Sequence, residues 1–449
     1  MTVDETNRSF KIVIIGGGLA GLATAHSLAR AQREGRVFTS LTVTVYEQRS
    51  EESSFVKYPM HIAPDARSAL QNILSPDSYA DLVSRSDYGI THGGITILTP
   101  QLTRLYASQK YEGEQPQYVS RGVLKKVLEE GVDLVKGRRV VRVREVEEKV
   151  EVVFEEGGSE LADFVIGADG VGSIVRSQLF PTHSQFPLLP HAVVQFKLAT
   201  PLSRLSSLPD KHGNNLILGT QSSSFQIVPL AGTALPTMTP GAALNLSGQG
   251  PFAEPDNSIK DIHTALEDPK SGYIFVRMIV PSFTGWEDLT EGAWIEKAIK
   301  LLKDDVADHQ IVTAFEEDII PGTVAAWGIV SSSVGNSMPC REGRLVLIGD
   351  AMHAMPPTGG AGGATAFKDA EGLVNTLLSS TELGGTDGPL HTLLPTFYEE
   401  STARSEQYLK DALHRLEVSN QSGFQAWIHR GLLKGMDWYY PLSHWVASL

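Results

Sequence analysis

Three glycine-rich stretches contain the residues whose types and spacing could do chemistry in this chain. In the first, Gly16, Gly18 and Gly21 have G-x-G-x-x-G spacing after a short apolar run. Such glycines allow a tight turn, close approach of the backbone to a pyrophosphate, and close packing of a helix on a strand. The N-terminus of the next helix then directs free N–H groups at the phosphates. The motif predicts a dinucleotide site, with a tight turn that binds no nucleotide as the alternative.

An acidic residue follows the first glycine motif at the place where dinucleotide-binding β-α-β units have one. Residues Leu41–Glu47 form the next apolar run, which is rich in β-branched side chains, and Glu47 ends it. In dinucleotide-binding β-α-β units an acid in this position accepts a hydrogen bond from a ribose hydroxyl. We therefore expect Lys11–Ile15 and Leu41–Glu47 to be strands joined by a helix, with Glu47 within reach of a ribose.

The other two stretches place an aspartate beside glycines at the end of an apolar run. In GADGVGSIVR, Asp169 could serve a ligand or cap a turn, and the sequence leaves both possibilities open. In GDAMHAMPPTGGAGG, Asp350 ends a strand, where an acceptor can meet a sugar or ribityl hydroxyl. The carboxylates thus predict polar contacts to a ligand that contains hydroxyl groups.

The prolines and glycines after Asp350 predict a second contact with the same ligand. Pro356–Pro357 stiffen the turn, and the glycines within Gly359–Gly363 let the backbone approach a flat group. A helix that starts near Gly363 points its positive end at that group. Two helix N-termini directed at separate places indicate one long cofactor, with a pyrophosphate at one end and an electron-accepting ring at the other.

Composition excludes several classes of protein. The chain has 449 residues and a net charge of −14, which argues against nucleic-acid binding. The single cysteine, Cys340, cannot form an internal disulfide and is expected to be inert, which fits a reducing, cytoplasmic compartment. No signal peptide or transmembrane span is expected, because the N-terminus is polar and glycines interrupt the apolar stretch Ile12–Ala29. The aromatic tail 427–449 predicts helices packed on the protein, with a membrane-surface anchor as the alternative.

Four motifs in order give the chain a family resemblance. The stretches IIGGGLAGL, SRGVLKKVL, VIGADGVGSIVR and LIGDAMHAMPPTGGAGG resemble the class A FAD-dependent monooxygenases, the para-hydroxybenzoate hydroxylase-like family. The layout looks closest to tetracycline-monooxygenase-like members, from about Lys11 to Gln421. The resemblance implies an α/β fold in which a Rossmann-like FAD-binding domain is interleaved with a mostly antiparallel β-sheet substrate domain, followed by C-terminal helices.

The implied boundaries are an FAD-binding part at 1–180 with inserted segments near 55–115, a substrate-binding sheet at 181–330, a return to the FAD-binding domain at 331–380, and a helical segment at 381–449.

The resemblance also implies residue roles. It places the FAD pyrophosphate at Gly16, Gly18 and Gly21, the adenosine ribose at Glu47, the phosphate or ribityl region at Arg121, FAD and NADPH at Asp169, and the ribityl chain at Asp350. The loop that faces the isoalloxazine contains Pro357, Gly360, Gly362, Gly363 and Ala364.

The implied activity is oxygen transfer to an organic molecule. Members of the family use NADPH or NADH to reduce FAD, and a C4a-hydroperoxyflavin formed with O₂ then hydroxylates or epoxidises a small aromatic or polycyclic substrate. No second G-x-G-x-x-G unit is present, which agrees with a reductant that docks transiently. Gln195, His61 and Gln226 are the candidates for substrate-side catalytic residues, and no spacing typical of a metal site is found.

One departure from the family pattern keeps other functions open. Ala364 stands where the family usually has an asparagine beside the flavin, and Lys368 stands where an acid is common. A reductase or dehydrogenase of the geranylgeranyl-reductase type would keep the same fold without oxygen transfer. A protein that uses FAD as a scaffold to bind or cyclise a ligand would turn over without NAD(P)H.

Overall fold

The computed structural model describes residues 9–37, 40–50, 59–86, 95–107, 117–199, 207–209, 214–230, 273–282, 290–306, 308–320, 322–335 and 343–447, so Cys340 lies outside the described residues. The strands are β1 (Ser9–Ile15), β2 (Ser40–Glu47), β3 (Pro59–Ile62), β4 (Ile95–Leu98), β5 (Arg104–Ala107), β6 (Gln117–Ser120), β7 (Asp133–Lys136), β8 (Val140–Val146), β9 (Lys149–Phe154), β10 (Ser159–Ala162), β11 (Phe164–Gly167), β12 (Leu188–Leu198), β13 (Asn214–Leu218), β14 (Ser224–Leu230), β15 (Tyr273–Pro281), β16 (Ala325–Val330) and β17 (Leu345–Leu347). The α-helices are α1 (Leu19–Arg33), α2 (Pro64–Ile73), α3 (Pro76–Ser86), α4 (Arg121–Glu129), α5 (Ile174–Leu179), α6 (Glu291–Asp305), α7 (His309–Glu317), α8 (Asp350–His353), α9 (Ala361–Ser379), α10 (Leu390–Ser419) and α11 (Gly423–Ala447).

A parallel sheet brings the three glycine motifs to one edge. Its order is β17-β11-β1-β2-β7, and every neighbouring pair is parallel. The strands β11 and β17 are buried along their whole length, which is typical of parallel strands covered on both faces. Because β1, β11 and β17 are adjacent and their carboxyl ends share one edge, the motifs that follow them meet there.

Helices α1 and α9 pack against each other at this edge. The contact includes the buried side chains of Leu22, Ala23, Phe367 and Ala370. Helix α9 begins at Ala361, two residues before the glycine at which the sequence predicts its start, because Gly360 takes the N-cap position in the left-handed region. The N-termini of both helices therefore point toward the space outside the strand ends.

A seven-stranded, mostly antiparallel sheet forms the second layer, in the order β16-β12-β15-β14-β13-β4-β5. One face packs on α6 and α7 through a buried apolar cluster that includes Phe196, Leu302 and Phe315. The rings of Phe196 and Phe315 meet edge to face with centroids 5.4 Å apart. The opposite face of this sheet is left to line a cavity.

Smaller elements complete the fold. The alternating segment after residue 139 forms the antiparallel sheet β10-β9-β8, and β3 pairs with β6. The amphipathic segment near the C-terminus forms α10, a helix of 30 residues, and α11 follows it. None of the helices in the described part of the chain combines the length and hydropathy needed to cross a bilayer. The predicted α/β architecture is confirmed, and the division into domains stays a prediction.

Candidate active site

The first glycine turn contains two residues whose neighbours leave no room for a side chain. Gly16 has a φ of 110°, and its N–H donates to Tyr46 O at 2.8 Å. A Cβ on Gly16 would overlap Ala168 O, and a Cβ on Gly21 would overlap Gly16 O. These two glycines are therefore required by the packing of the protein itself.

Gly18 is different, because it faces open space. It is the N-cap of α1 and has an extended backbone with φ −79° and ψ −175°. The nearest atom to an added Cβ would be Ala168 O at 4.0 Å. The first turn of α1 contains no acidic side chain, and no side chain caps it. The cradle beside Gly18 thus has the shape and the free N–H donors that suit a phosphate.

Glu47 lies next to this turn at the end of β2. Its Oε2 accepts from Gly17 N at 3.0 Å, and its Oε1 accepts from Arg49 N at 2.9 Å. Glu47 does not line the cavity described below. Its predicted contact with a ribose hydroxyl stays a prediction, and the structure adds that the carboxylate also braces the glycine turn.

Asp169 caps a helix. Its Oδ2 accepts from Ile174 N at 2.8 Å, and its Oδ1 accepts from Ser173 Oγ at 2.5 Å. Burial raises the pKa of Asp169, although these hydrogen bonds act in the opposite direction. Of the two possibilities that the sequence left open, the turn-capping one is realised, and only the neighbouring Ala168 and Gly170 reach the cavity wall. The association of Asp169 with FAD and NADPH stays a prediction.

Asp350 follows a glycine that is held tightly against α1. Gly349 has a φ of 59°, and an added Cβ would lie 2.8 Å from Ala20 Cβ. Protein atoms surround Asp350, yet its side chain remains accessible because it faces the cavity. Burial raises the pKa of Asp350, and the charges of His353 and Arg121 oppose that rise. Such a carboxylate can accept a hydrogen bond from a ligand hydroxyl.

A buried network holds this turn in place, and sequence reasoning missed it. Asp369 on α9 accepts from Gly349 N at 2.9 Å, His353 Nε2 at 2.6 Å, Ser401 Oγ at 2.6 Å and Arg404 Nη2 at 2.8 Å. Burial alone would raise the pKa of Asp369, but His353, Ser401 and Arg404 lower it to about 2. Burial alone would lower the pKa of His353, but the nearby Asp369 outweighs this effect and the pKa is raised. The network joins the aspartate turn, α9 and α10 into one unit.

One cavity of about 890 Å³ connects the separate motifs. Its lining includes Gly18, Arg121 and Asp350 together with the turn that runs from Pro356 to Gly363, and a Cβ added to Gly362 would lie 3.7 Å from Asp350 Oδ1. Arg121 is the first residue of α4, and Leu124 anchors that helix in the core. The pyrophosphate-like cradle, the strand-end carboxylate and the glycine turn therefore share one continuous space of the size of a ligand pocket.

The seven-stranded sheet supplies the opposite wall through one cross-strand row. Strand register aligns, in order, Ala325, Gln195, Arg277, Gln226, Leu216, Ile97 and Tyr106. The last five of these residues line the cavity. Residues opposite one another on neighbouring strands share a face, so the row forms a roof over the glycine turn.

Comparisons with known proteins agree with this geometry. A family model described as an FAD binding domain matches residues 108–412, more than half of the chain, and one described as an NAD(P)-binding Rossmann-like domain matches residues 14–67. The chain belongs to the class A FAD-dependent monooxygenases. FAD is the cofactor of this family, and the monooxygenase is a flavoprotein oxidoreductase.

Individual relatives are distant but cover most of the monooxygenase. The FAD-dependent monooxygenase sor5 of Hypocrea jecorina is 24% identical over 387 residues, covering 82% of this chain and 74% of its own. A putative FAD-containing monooxygenase from Photorhabdus luminescens has a TM-score of 0.70 at 20% identity, covering 92% of this chain and 98% of its own. The tetracycline destructase Tet(51) has a TM-score of 0.60 at 16% identity, with 95% and 97% covered.

Gln195 and Ala364, like Gly16, Gly21, Glu47 and Asp169, lie outside the cavity lining. The side chain of Ala364 packs in the core beside Leu22 and Phe367, because the helix turns it away from the cavity. Gln195 lies on the cavity-facing side of β12 but one strand beyond the lined wall, and its buried Oε1 accepts no hydrogen bond from the described residues. The side chains of both residues therefore lie outside the lining, and their assigned roles stay predictions.

The other predicted residues of the glycine turn and roof do line the cavity. His61, Gln226, Pro357, Gly360, Gly362 and Gly363 all contribute to its wall. Gln226 Nε2 donates to Asn214 Oδ1 at 3.0 Å, which directs the Gln226 amide oxygen away from that partner. His61 packs beside Gly360, whose added Cβ would lie 2.9 Å from His61 O. Their catalytic or binding roles stay predictions.

The neutral state of His61 leads to a stability prediction. Burial, followed by the charges of Arg67 and Arg415, lowers the pKa of His61 to about 4. Between that value and the ordinary 6.5, the unfolded chain binds more protons than the folded one, so the contribution of His61 to stability decreases as pH falls. In this range the contribution of His61 to the free energy of unfolding changes by at most about 1.4 kcal/mol per pH unit.

We therefore expect the stability of the wild type relative to His61→Asn to be lower at about pH 5 than at about pH 7. Urea unfolding of both proteins at saturating FAD measures this difference, and the subtraction removes the titration of other groups. An equal difference at both pH values would show that His61 is not held neutral by its surroundings.

Proposed function

We propose that this monooxygenase uses NADPH or NADH and O₂ to hydroxylate or epoxidise a small aromatic or polycyclic molecule bound between the glycine turn and the seven-stranded sheet. The observation that supports this most strongly is the single cavity of about 890 Å³ lined by both glycine motifs and by the sheet. A flavin that extends from Gly18 to the turn at Gly360 would present its ring to the sheet.

The residues that would hold FAD have complementary chemistry. The free N–H groups at the start of α1 beside Gly18 suit the pyrophosphate, with Gly16 and Gly21 shaping the turn. Asp350 would accept from a ribityl hydroxyl, and Arg121 lies in the wall beside it. When bound, FAD supplies the hydride-accepting ring and the site of O₂ activation.

The turn before α9 would face the flavin ring. Pro357, Gly360, Gly362 and Gly363 line the cavity without bulky side chains, so a flat group can approach the backbone. The N-terminus of α9 begins at Ala361 with no acidic residue in its first turn. Its partial positive charge would stabilise negative charge on the ring.

The sheet side of the cavity suits a flat organic substrate. Its wall combines Ile97, Tyr106, Leu216 and Phe275 with the amide of Gln226. Tet(51), which shares this fold, is described as a tetracycline destructase, a name that implies a polycyclic substrate. Apolar walls also exclude water from the reacting centre. A cytoplasmic location is part of the proposal and rests on the single cysteine.

Three measurements on the purified protein test the proposed function. We expect bound FAD, oxidation of NADPH or NADH, and transfer of one atom of ¹⁸O₂ to a member of an aromatic and polycyclic panel. Flavin reduction without oxygen incorporation would favour the reductase alternative. Product formation without NAD(P)H would favour a flavin-scaffolded cyclase, and either result would overturn oxygen transfer.

Asp350 gives a residue-level prediction for FAD binding. Asp350→Ala is expected to weaken FAD binding by about 1–3 kcal/mol, or roughly 5- to 150-fold, because a ribityl hydroxyl would lose the carboxylate that accepts its hydrogen bond. Asp350→Asn keeps an acceptor oxygen and should lose less affinity for FAD. Quenching of flavin fluorescence measures the affinities, with Asp411→Ala on the exposed side of α10 as the control. Wild-type affinity in Asp350→Ala would remove this residue from the FAD site.

A further inference from the structure

The cavity has a surplus of positive charge that the proposed flavin contacts do not use. Its described lining residues include the arginines Arg121, Arg277 and Arg415, whereas Asp350 is the one carboxylate among them. The whole chain has the reverse balance, with 52 acidic and 38 basic residues. The charges of Arg121 and His353 favour the ionised form of Asp350, so this carboxylate already has cationic neighbours of its own.

Arg415 is exposed to the cavity from α10. Among the described residues it makes no hydrogen bond and no ion pair, and its side chain is accessible. Its guanidinium lies against the glycine turn, because a Cβ added to Gly359 would overlap Arg415 Nη1. Its charge also acts on His61, which lines the same region. The cation therefore lies at the glycine turn.

Arg277 approaches the same turn from the sheet. It lies on β15 in the cavity-facing row, directly between Gln195 of β12 and Gln226 of β14. Its Nη1 donates to Pro357 O at 3.2 Å, which holds the guanidinium beside the turn. Arg277 and Arg415 thus approach Pro357–Gly359 from two different walls.

We propose that Arg415 and Arg277 form a subsite for an anionic oxygen group of the organic substrate, either a carboxylate or an ionised phenol or enol. This inference rests on the proposed function, because it assumes that the organic substrate occupies the space between the turn and the sheet. Guanidinium groups match planar oxyanions in geometry and bind them through charge-assisted hydrogen bonds. In a partly enclosed cavity such a cation is stabilised by a bound counter-charge.

The position of the subsite also defines its selectivity. The sheet side of the cavity contributes Phe275, Tyr106 and Leu216, which suit an apolar ring system. An anionic group held at Arg415 would place that ring system beneath the sheet and beside the glycine turn. We therefore expect a flat, monoanionic substrate to bind better than a neutral molecule of the same shape.

The test uses anthracene-2-carboxylate and its neutral carboxamide as probes, with the FAD-loaded enzyme. Probe fluorescence and flavin absorbance report binding. We expect the wild type to prefer the carboxylate by at least about tenfold, and Arg415→Gln to lose most of that preference. Arg415→Lys should keep part of the preference for the carboxylate, and Arg277→Gln should reduce this preference. A hydroxyanthraquinone, titrated above and below its phenol pKa, tests the phenolate source.

A charge-matched control and three outcomes isolate the contribution of the two arginines. Lys410→Gln removes an exposed cation from the same helix and should leave the preference unchanged. Equal binding of both probes to a protein that binds FAD and oxidises NAD(P)H would overturn the subsite and leave the proposed function intact. A higher KM for NADPH in Arg415→Gln, with probe binding unchanged, would assign Arg415 to the reductant and also overturn it. Carboxylate preference in an FAD-loaded protein that transfers no oxygen from O₂ to any member of the substrate panel would support the subsite and overturn the proposed function.

Discussion

Asp369→Ala is expected to lower the free energy of unfolding by about 3–5 kcal/mol. The carboxylate is fully buried and accepts hydrogen bonds from Gly349, His353, Ser401 and Arg404. Its removal leaves a buried imidazole and a guanidinium without their counter-charge. Because Gly349 N is one of the donors, the turn that presents Asp350 should loosen as well.

The same network predicts a pH range in which the contribution of Asp369 to the free energy of unfolding is largest. The pKa of Asp369 is lowered to about 2, so its stabilisation is complete above the ordinary value of 3.8 and is lost as pH falls through the folded value. The pKa of His353 is raised, so its stabilisation is present below 6.5 and is lost as pH rises through its folded value. The difference between wild type and Asp369→Ala should therefore be largest between these limits.

Urea unfolding at saturating FAD, repeated across this pH range, measures the difference. Asp411→Ala, an exposed aspartate on α10, is the control and should change stability by less than about 0.5 kcal/mol. A loss of under about 1 kcal/mol for Asp369→Ala would contradict the role of the network as a link between α9, α10 and the aspartate turn.

The second large effect is expected from Gly18→Val, which should weaken FAD binding by about 100-fold or more, or about 3 kcal/mol. The new side chain would occupy the open space beside the N-terminus of α1, where the pyrophosphate is proposed to lie. The extended backbone of Gly18 suits valine, so the apo-protein should lose only about 1 kcal/mol through the poorer N-cap.

Gly292→Val provides a matched control, because an added Cβ there meets no neighbour and Gly292 does not line the cavity. Flavin fluorescence and thermal unfolding of the two apo-proteins separate binding from folding. Normal FAD affinity in Gly18→Val would contradict the proposed pyrophosphate site. A Gly18→Val protein that failed to fold would contradict the open space described beside this residue.

The sequence predicted the parts of the site that depend on local geometry. Gly16 and Gly21 lie in one short G-x-G-x-x-G turn, so their spacing alone indicated the motif, although the atom that excludes a side chain at Gly16 belongs to Ala168, just after β11. Asp169 and Asp350 follow apolar strands whose ends were visible in the sequence. The role of Asp169 stayed open because a helix cap and a ligand contact use the same residue type at the same place.

The parts that depend on strand order and helix placement could not be predicted. Gln195 and Arg277 lie directly opposite each other on the roof, but only the sheet order reveals which one reaches the cavity. Arg415 lies in an amphipathic helix with many charged residues, and nothing local distinguishes it from a solvated side chain. Asp369 follows Lys368, where the chain departs from the family pattern, and its partners are separated from it by long stretches of chain.

A crystal structure of the FAD-loaded protein tests the central claim most directly. We predict one FAD whose pyrophosphate lies beside Gly18 at the N-terminus of α1 and whose ring lies against the turn at Gly360, below the row that contains Arg277. A flavin bound elsewhere, or one that reaches only one of the two glycine turns, would contradict this claim.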